Sequence, residues 1–254
     1  MEALKKLIIV ACAILITDYS YAESKTIEFS ADAVISMPQQ QAKQIKLFVS
    51  KKAVRSEKMV NGQSVVEITY PQEGRTVLIN NSLRSYWEGL SERLDENKSS
   101  GSPCDQIVNA VCEKLGTENI DGHETEKWQI ISDNRGRKFR TLHWMDVKRK
   151  LAIREFFPDG SVAELKMLKK EKINGRETEK WQRTLSRPDG RNAYSYQWYD
   201  PTLKIAIKEE LPGGYVRELK NIKVSTQSDD LFSVPEGYTK VEPQPATYPE
   251  YRNR

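Results

Sequence analysis

The chain has 254 residues, with 40 lysines and arginines against 36 aspartates and glutamates, for a formal charge of +4. That length suits one large β domain or two small ones. The charges alternate in sign, which excludes the basic stripe of a nucleic-acid-binding surface, and the pI near 8.8 leaves only a weak attraction to anionic surfaces such as lipid headgroups.

The first residues read as a secretory signal. Lys5 and Lys6 are basic, Leu7 to Ile16 is apolar, and Ser20 and Ala22 are the small residues a signal peptidase reads, so cleavage is expected after Ala22. The apolar run is shorter than the roughly 20 residues a membrane-spanning helix needs. A weaker reading takes Ile9-Val10-Ala11-Cys12 as a lipoprotein box with a lipid on Cys12. An exported, periplasmic or similar location follows, with no transmembrane segment in the mature chain of about 230 residues.

The mature chain reads as short strands joined by tight turns. Strands are expected at Thr26–Ala33, Gln44–Val49, Lys52–Met59, Ser64–Tyr70, Arg75–Ile79 and Leu83–Trp87, with Asn61-Gly62 marking a hairpin. Residues 89–103 are polar and turn-rich. Asp105–Leu115 is expected as a helix, because Ile107, Val108, Val111 and Leu115 lie near one face, Asp105 can cap its start and Gly116 can end it.

Cys104 and Cys112 are the cysteines outside the signal, and an even pair in an exported chain suggests a disulfide. On one straight helix their Cα atoms would lie ~12 Å apart, too far to bond. Cys104 must therefore sit in the preceding loop and fold back. Two sulfurs without nearby partners do not complete a zinc shell, so no metal site is expected.

Downstream, the chain repeats itself. Residues 119–129 read NIDGHETEKWQ and residues 172–182 read KINGRETEKWQ. Trp144 then answers Trp198, Asp146 answers Asp200, Glu155 answers Glu209, and Glu164-Leu165-Lys166 answers Glu218-Leu219-Lys220. A repeat of this length is a repeated piece of sheet. Its strands are expected at His123–Ser132, Lys138–Asp146, Leu151–Phe156 and Val162–Lys169, then Glu177–Leu185, Asn192–Tyr199, Lys204–Glu210 and Tyr215–Val224. Such spacing argues a mainly β, up-and-down antiparallel sheet, strongly curved or barrel-like. Residues 242–254, with Pro243, Pro245 and Pro249, read as a disordered tail.

No catalytic constellation emerges. His123 and His143 are the histidines, and Arg176 and Gln197 replace them in the second copy. No zinc-protease, nucleophile-elbow or phosphate-loop motif is present. Glu124 and Glu126 would share one strand face, most simply a solvated one. Asp146 and Asp200 suit turn starts. The chain is therefore not expected to be an enzyme or to carry a cofactor.

The early segment reads Leu47-Phe48-Val49, Val54-Arg55-Ser56-Glu57, Val65-Val66-Glu67-Ile68, Val77-Leu78-Ile79-Asn80-Asn81 and Tyr86-Trp87. The closing segment reads Leu231-Phe232-Ser233-Val234-Pro235-Glu236-Gly237-Tyr238-Thr239-Lys240-Val241. Together with the signal, this resembles the LolA/LolB-like superfamily of periplasmic lipoprotein-sorting carriers, and more nearly its uncharacterised exported relatives. The resemblance implies one domain over residues 23–241, an incompletely closed antiparallel β-barrel with Asp105–Leu115 in a short helical plug and an internal repeat at about 119–169 and 172–224. It also implies an apolar cavity for a lipid or lipoprotein acyl chain. The carriers have an Arg-Pro pair where this chain reads Lys51-Lys52-Ala53, so no functional arginine carries over. Candidate lining residues, chosen by side-chain type, are Phe48, Ile68, Trp87, Trp128, Trp144, Trp181 and Trp198. The alternative is a non-catalytic structural or protein-interaction module of the cell envelope, pairing through an open sheet edge. For the tryptophans themselves, core packing is the competing explanation.

Overall fold

The computed structural model describes residues 27–90, 102–106, 110–134 and 136–242. The expected leader, most of the 89–103 loop and the tail beyond Glu242 lie outside them. The strands are β1 (Phe29–Ser36), β2 (Lys43–Val49), β3 (Val54–Val60), β4 (Gln63–Tyr70), β5 (Arg75–Asn80), β6 (Ser85–Leu90), β7 (Ala110–Ile120) and β8 (His123–Asn134). They continue as β9 (Arg137–Asp146), β10 (Ala152–Phe156), β11 (Val162–Ile173), β12 (Arg176–Ser186), β13 (Asn192–Asp200), β14 (Ile205–Leu211), β15 (Tyr215–Val224) and β16 (Thr239–Lys240).

All belong to one 16-stranded sheet in the order β16-β6-β5-β4-β3-β2-β1-β15-β14-β13-β12-β11-β10-β9-β8-β7. Two meanders, β1–β6 and β7–β15, join where β1 pairs with β15, and β16 adds to β6 in the one parallel pairing among the described residues. The two end strands do not meet, so the sheet stays open. A twisted sheet beyond about ten strands curls, and curling lets one face of this sheet bury side chains without a second layer.

The 105–115 helix is corrected. Pro103–Gln106 is a short 3-10 turn, and Ala110–Ile120 is a strand paired with β8 along its length. The apolar spacing that suggested a helix buries little, since Val111 is 69% and Leu115 46% exposed. The ladder to β8 satisfies the backbone instead. Gly116 sits at φ 153° beside a register shift rather than capping a helix. Cys104 and Cys112 are disulfide-bonded, with Cα atoms 5.7 Å apart, Cys104 lying in the turn and Cys112 on β7.

The repeat is a structural repeat, down to its irregularities. The β7–β8 ladder slips at Leu115 and the β11–β12 ladder at its counterpart Leu168. The β9–β10 ladder slips at Ile153 and the β13–β14 ladder at its counterpart Ile207. Such bulges bend a sheet, so the copies bend alike. Ile120, Ile153 and Leu165 pack in the core of the first copy, and Ile173, Ile207 and Leu219 occupy the matching places in the second.

Strand alternation splits the other apolar residues between the two faces. Ile45, Leu47 and Val49 on β2 join Phe29, Ala31, Ala33 and Ile35 on β1 in one cluster. Phe48, between Leu47 and Val49, points the other way and belongs to a second cluster on β4 and β5.

Candidate functional site

The second cluster is built from two cross-strand rows. One runs Phe48, Arg55, Ile68, Val77, Glu88. Its neighbour runs Lys46, Glu57, Val66, Ile79, Tyr86. Val66, Ile68, Val77 and Ile79 are almost wholly buried. What buries them is the chain's own C-terminal segment. Leu231, Phe232, Val234 and Tyr238 pack against this patch, with Phe232 buried among them.

The segment is tied down at several points. The Gln227 amide donates to Glu28 Oε2 at 2.8 Å. Arg55 Nη1 donates to the Leu231 carbonyl at 2.7 Å, and the Tyr70 hydroxyl donates to the Phe232 carbonyl. The Tyr238 hydroxyl donates to Asn81 Oδ1 at 3.2 Å. Beyond it, the Thr239 amide donates to the Arg84 carbonyl at 3.0 Å and the Val241 amide to the Tyr86 carbonyl at 2.8 Å, forming β16 on the β6 edge. Lys240 pairs with Glu88 at 3.1 Å and holds that carboxyl below its ordinary range. The Phe-x-x-Pro-x-Gly-Tyr motif is thus an anchor: Phe232 fills the patch, and Gly237, at φ 77°, turns the chain close to Arg84, where a side chain would crowd the guanidinium.

Of the seven candidate lining residues, this patch unites Phe48 and Ile68. Trp87 lies on the opposite face, in the row Leu47, Ser56, Glu67, Leu78, Trp87, with its ring over Gly89. Trp144 and Trp181 share the first copy's core, Trp181 with no exposed surface. Trp198 is buried between Lys180 and Lys208, whose ammonium groups lie 4.5 and 4.4 Å from its ring centroid. Trp128 stands across from His143 on β9. Its indole nitrogen is buried without a well-formed hydrogen bond, whereas its counterpart Trp181 donates to Glu179 at 3.3 Å. Glu126, the matching carboxylate, is turned to Lys114 at 2.5 Å.

The repeated motif does structural work of a kind its sequence hid. Thr125 and Thr178 are buried, not solvated, and donate to the carbonyls of Glu118 and Glu171 at 2.8 and 2.7 Å. The carboxylates of Glu118 and Glu171 accept the indole N–H of Trp144 and Trp198 at 3.0 and 2.5 Å. Lys127 and Lys180 cover the same two rings. Glu118 and Glu171 are thus a missed repeat pair, visible one residue upstream of the match. Asp146 and Asp200 are buried turn starters. Asp146 accepts the amides of Lys148 and Arg149, and Asp200 those of Thr202 and Leu203. His123 and Arg176, at matching positions, fill one role with unlike side chains, each binding the second oxygen of its aspartate.

The copies are joined by a half-buried polar contact. Arg149 binds Glu179 through two nitrogens, at 2.7 and 2.9 Å, and its guanidinium lies 5.4 Å from the Trp181 ring centroid. The arginine holds the Glu179 carboxyl below its ordinary range. Burial, helped by the Glu179 charge, pushes the Tyr199 hydroxyl up to about 12. In the second copy Leu203 replaces Arg149 and enters the apolar core.

Among the described residues, Thr141, His143 and Glu155 form a hydroxyl–imidazole–carboxylate grouping. His143 Nε2 lies 3.0 Å from Thr141 Oγ1, but its Nδ1 is 3.7 Å from Glu155, which is committed to Arg183 at 2.7 Å. Beyond hydrogen-bonding distance the carboxylate does not fix the imidazole as a base. Burial lowers the His143 pKa. Among the described residues no His, Cys, Asp and Glu cluster suits a metal ion.

No protein-family model matches the chain, and no curated protein matches its sequence. Solved structures do resemble it. A LolA-superfamily protein from Nitrosomonas europaea is 12% identical with a TM-score of 0.38, covering 88% of this chain and 97% of its own. An outer-membrane lipoprotein-sorting domain from Vibrio parahaemolyticus is 11% identical with a TM-score of 0.36, covering 82% and 90%. A DUF1329-family protein from Desulfovibrio piger is 14% identical with a TM-score of 0.30, covering 83% and 91%. At these scores the likeness carries no argument about function; the structures this chain resembles include LolA-superfamily and lipoprotein-sorting proteins.

Proposed function

We propose that the chain is an exported binding protein that shelters an acyl chain or similar apolar ligand on the β2–β6 face when its C-terminal segment lifts. The observation that carries this reading is the patch of Phe48, Val66, Ile68, Val77 and Ile79, covered among the described residues by residues 231–238 of the same chain. Such a cover is held by a few side chains and a two-residue strand, so it can leave without dismantling the sheet. Burial contributes ~0.8 kcal/mol per methylene, so a sixteen-carbon chain would supply on the order of 10 kcal/mol before ordering costs. Native mass spectrometry of the protein purified from its own envelope fraction, followed by organic extraction, tests the reading. A co-purifying lipid or acylated protein supports it. A clean apo mass, with no uptake of a fluorescent fatty acid, sinks it.

A second reading, a protein-interaction module, is favoured by β7. Among the described residues this 11-residue strand pairs on one side only and leaves Val111 and Leu115 exposed.

A further inference from the structure

We propose that Arg55 reads the headgroup of the ligand, and that the ligand is a single-chain amphiphile with an anionic head. This inference rests on the apolar-ligand reading above. Arg55 stands directly between Phe48 and Ile68 in the cross-strand row, with 13% of its side chain exposed. Its Nε pairs with Glu57 at 2.8 Å, and its Nη1 donates to the Leu231 carbonyl at 2.7 Å. Lys46 lies directly across from Glu57 on the same face. Lys46, Arg55 and Glu57 together therefore carry one net positive charge.

A guanidinium set among apolar side chains requires acceptors for its N–H groups. The closed C-terminal segment supplies one, and that acceptor leaves when the segment lifts. A carboxylate or phosphate on an alkyl chain restores it with a charged oxygen, a stronger partner than a neutral carbonyl. The covering segment occupies the place the ligand would take, with Leu231 and Phe232 against the patch and the neutral Leu231 carbonyl on Arg55. Ligand and segment therefore compete for Phe48, Ile68 and Arg55. An uncharged lipid buries the same chain but gives Arg55 a poorer acceptor.

The test uses the full-length protein loaded with Nile red, a neutral reporter, and displaces it with dodecanoate, dodecyl phosphate or dodecanol. Both anions are expected to compete about tenfold better than the alcohol, the difference between a charge-assisted and a neutral hydrogen bond. The ratio between carboxylate and phosphate separates a free fatty acid from a phospholipid-derived head. Arg55→Met should erase the preference while dodecanol binds no more weakly, since the variant also loses a tie that holds the segment closed, and Arg55→Lys should retain part of the preference. Equal displacement by all three compounds on the unmodified protein overturns the headgroup role and leaves the apolar-ligand reading standing. An anion preference that survives in Arg55→Met places the head elsewhere and also overturns it. Failure of Nile red and all three compounds to bind defeats the apolar-ligand reading itself, and this inference with it.

Discussion

Replacing Phe232 by alanine should open the C-terminal segment without unfolding the sheet. Phe232 is 8% exposed and inserts among Ala53, Val66, Ile68, Val77 and Ile79. Removing a ring from such a site costs about 3–5 kcal/mol. Here that cost falls on the segment's own closing equilibrium, because the strands beneath keep their ladders to one another. A loss of ~3 kcal/mol raises the open fraction roughly a hundredfold. Hydrogen exchange reads this directly. The Thr239 and Val241 amides, bonded to the β6 edge, should exchange about a hundredfold faster, while β4 and β5 amides keep their protection. Nile red uptake should rise in step. Equal acceleration across β3–β5 would show that the segment is an inseparable part of the core. Unchanged exchange at Thr239 and Val241 would show that Phe232 does not hold it. Either result refutes the reasoning.

Asp200→Ala should destabilise the protein by about 3–5 kcal/mol, since it strands the Arg176 guanidinium, the buried Leu203 amide and the Thr202 amide. Asp146→Ala should cost less, because its nearest side-chain partner is the His123 imidazole at 3.0 Å and the Arg149 guanidinium, at 3.6 Å, is already bound to Glu179; urea titrations that give the reverse order would refute this. Glu179, held below its ordinary value of 4.5 by Arg149, contributes stability that is present above the unfolded carboxylate pKa and lost as pH falls through the lower folded one. The stability gap between wild type and Arg149→Met should therefore narrow below about pH 4.5, and a gap constant from pH 7 to 3 would rule out the linkage. Reducing the Cys104–Cys112 bond, a separation of 8 residues, should lower stability by roughly 2.5 kcal/mol on loop entropy; an unchanged urea midpoint in reductant would mean the bond leaves the unfolded chain unconstrained.

The strands were legible because each carries its own local signal. Alternation in Ser64–Tyr70 and the Asn61-Gly62 turn locate β4 and its hairpin without reference to anything distant. The same logic applied to Asp121-Gly122 and Asn174-Gly175 identifies the turns of β7–β8 and β11–β12, and would have replaced the 105–115 helix with a strand. The apolar spacing there mimicked a helix because exposed residues on an edge strand are free of the two-residue period that burial imposes.

By itself the sequence determined a mainly β chain, its repeat and the closing motif, since hydrophobic alternation, turn residues and self-similarity are local properties of the chain; it suggested the Cys104–Cys112 bond that the structure shows. Tertiary structure decided the rest. Phe48 and Ile68 share a patch, while Trp87 lies on the opposite face, because strand register sets the side of the sheet on which each residue falls. Likewise Arg55 meets Leu231 across 176 positions of sequence, a contact set by the path of the C-terminal segment over the sheet.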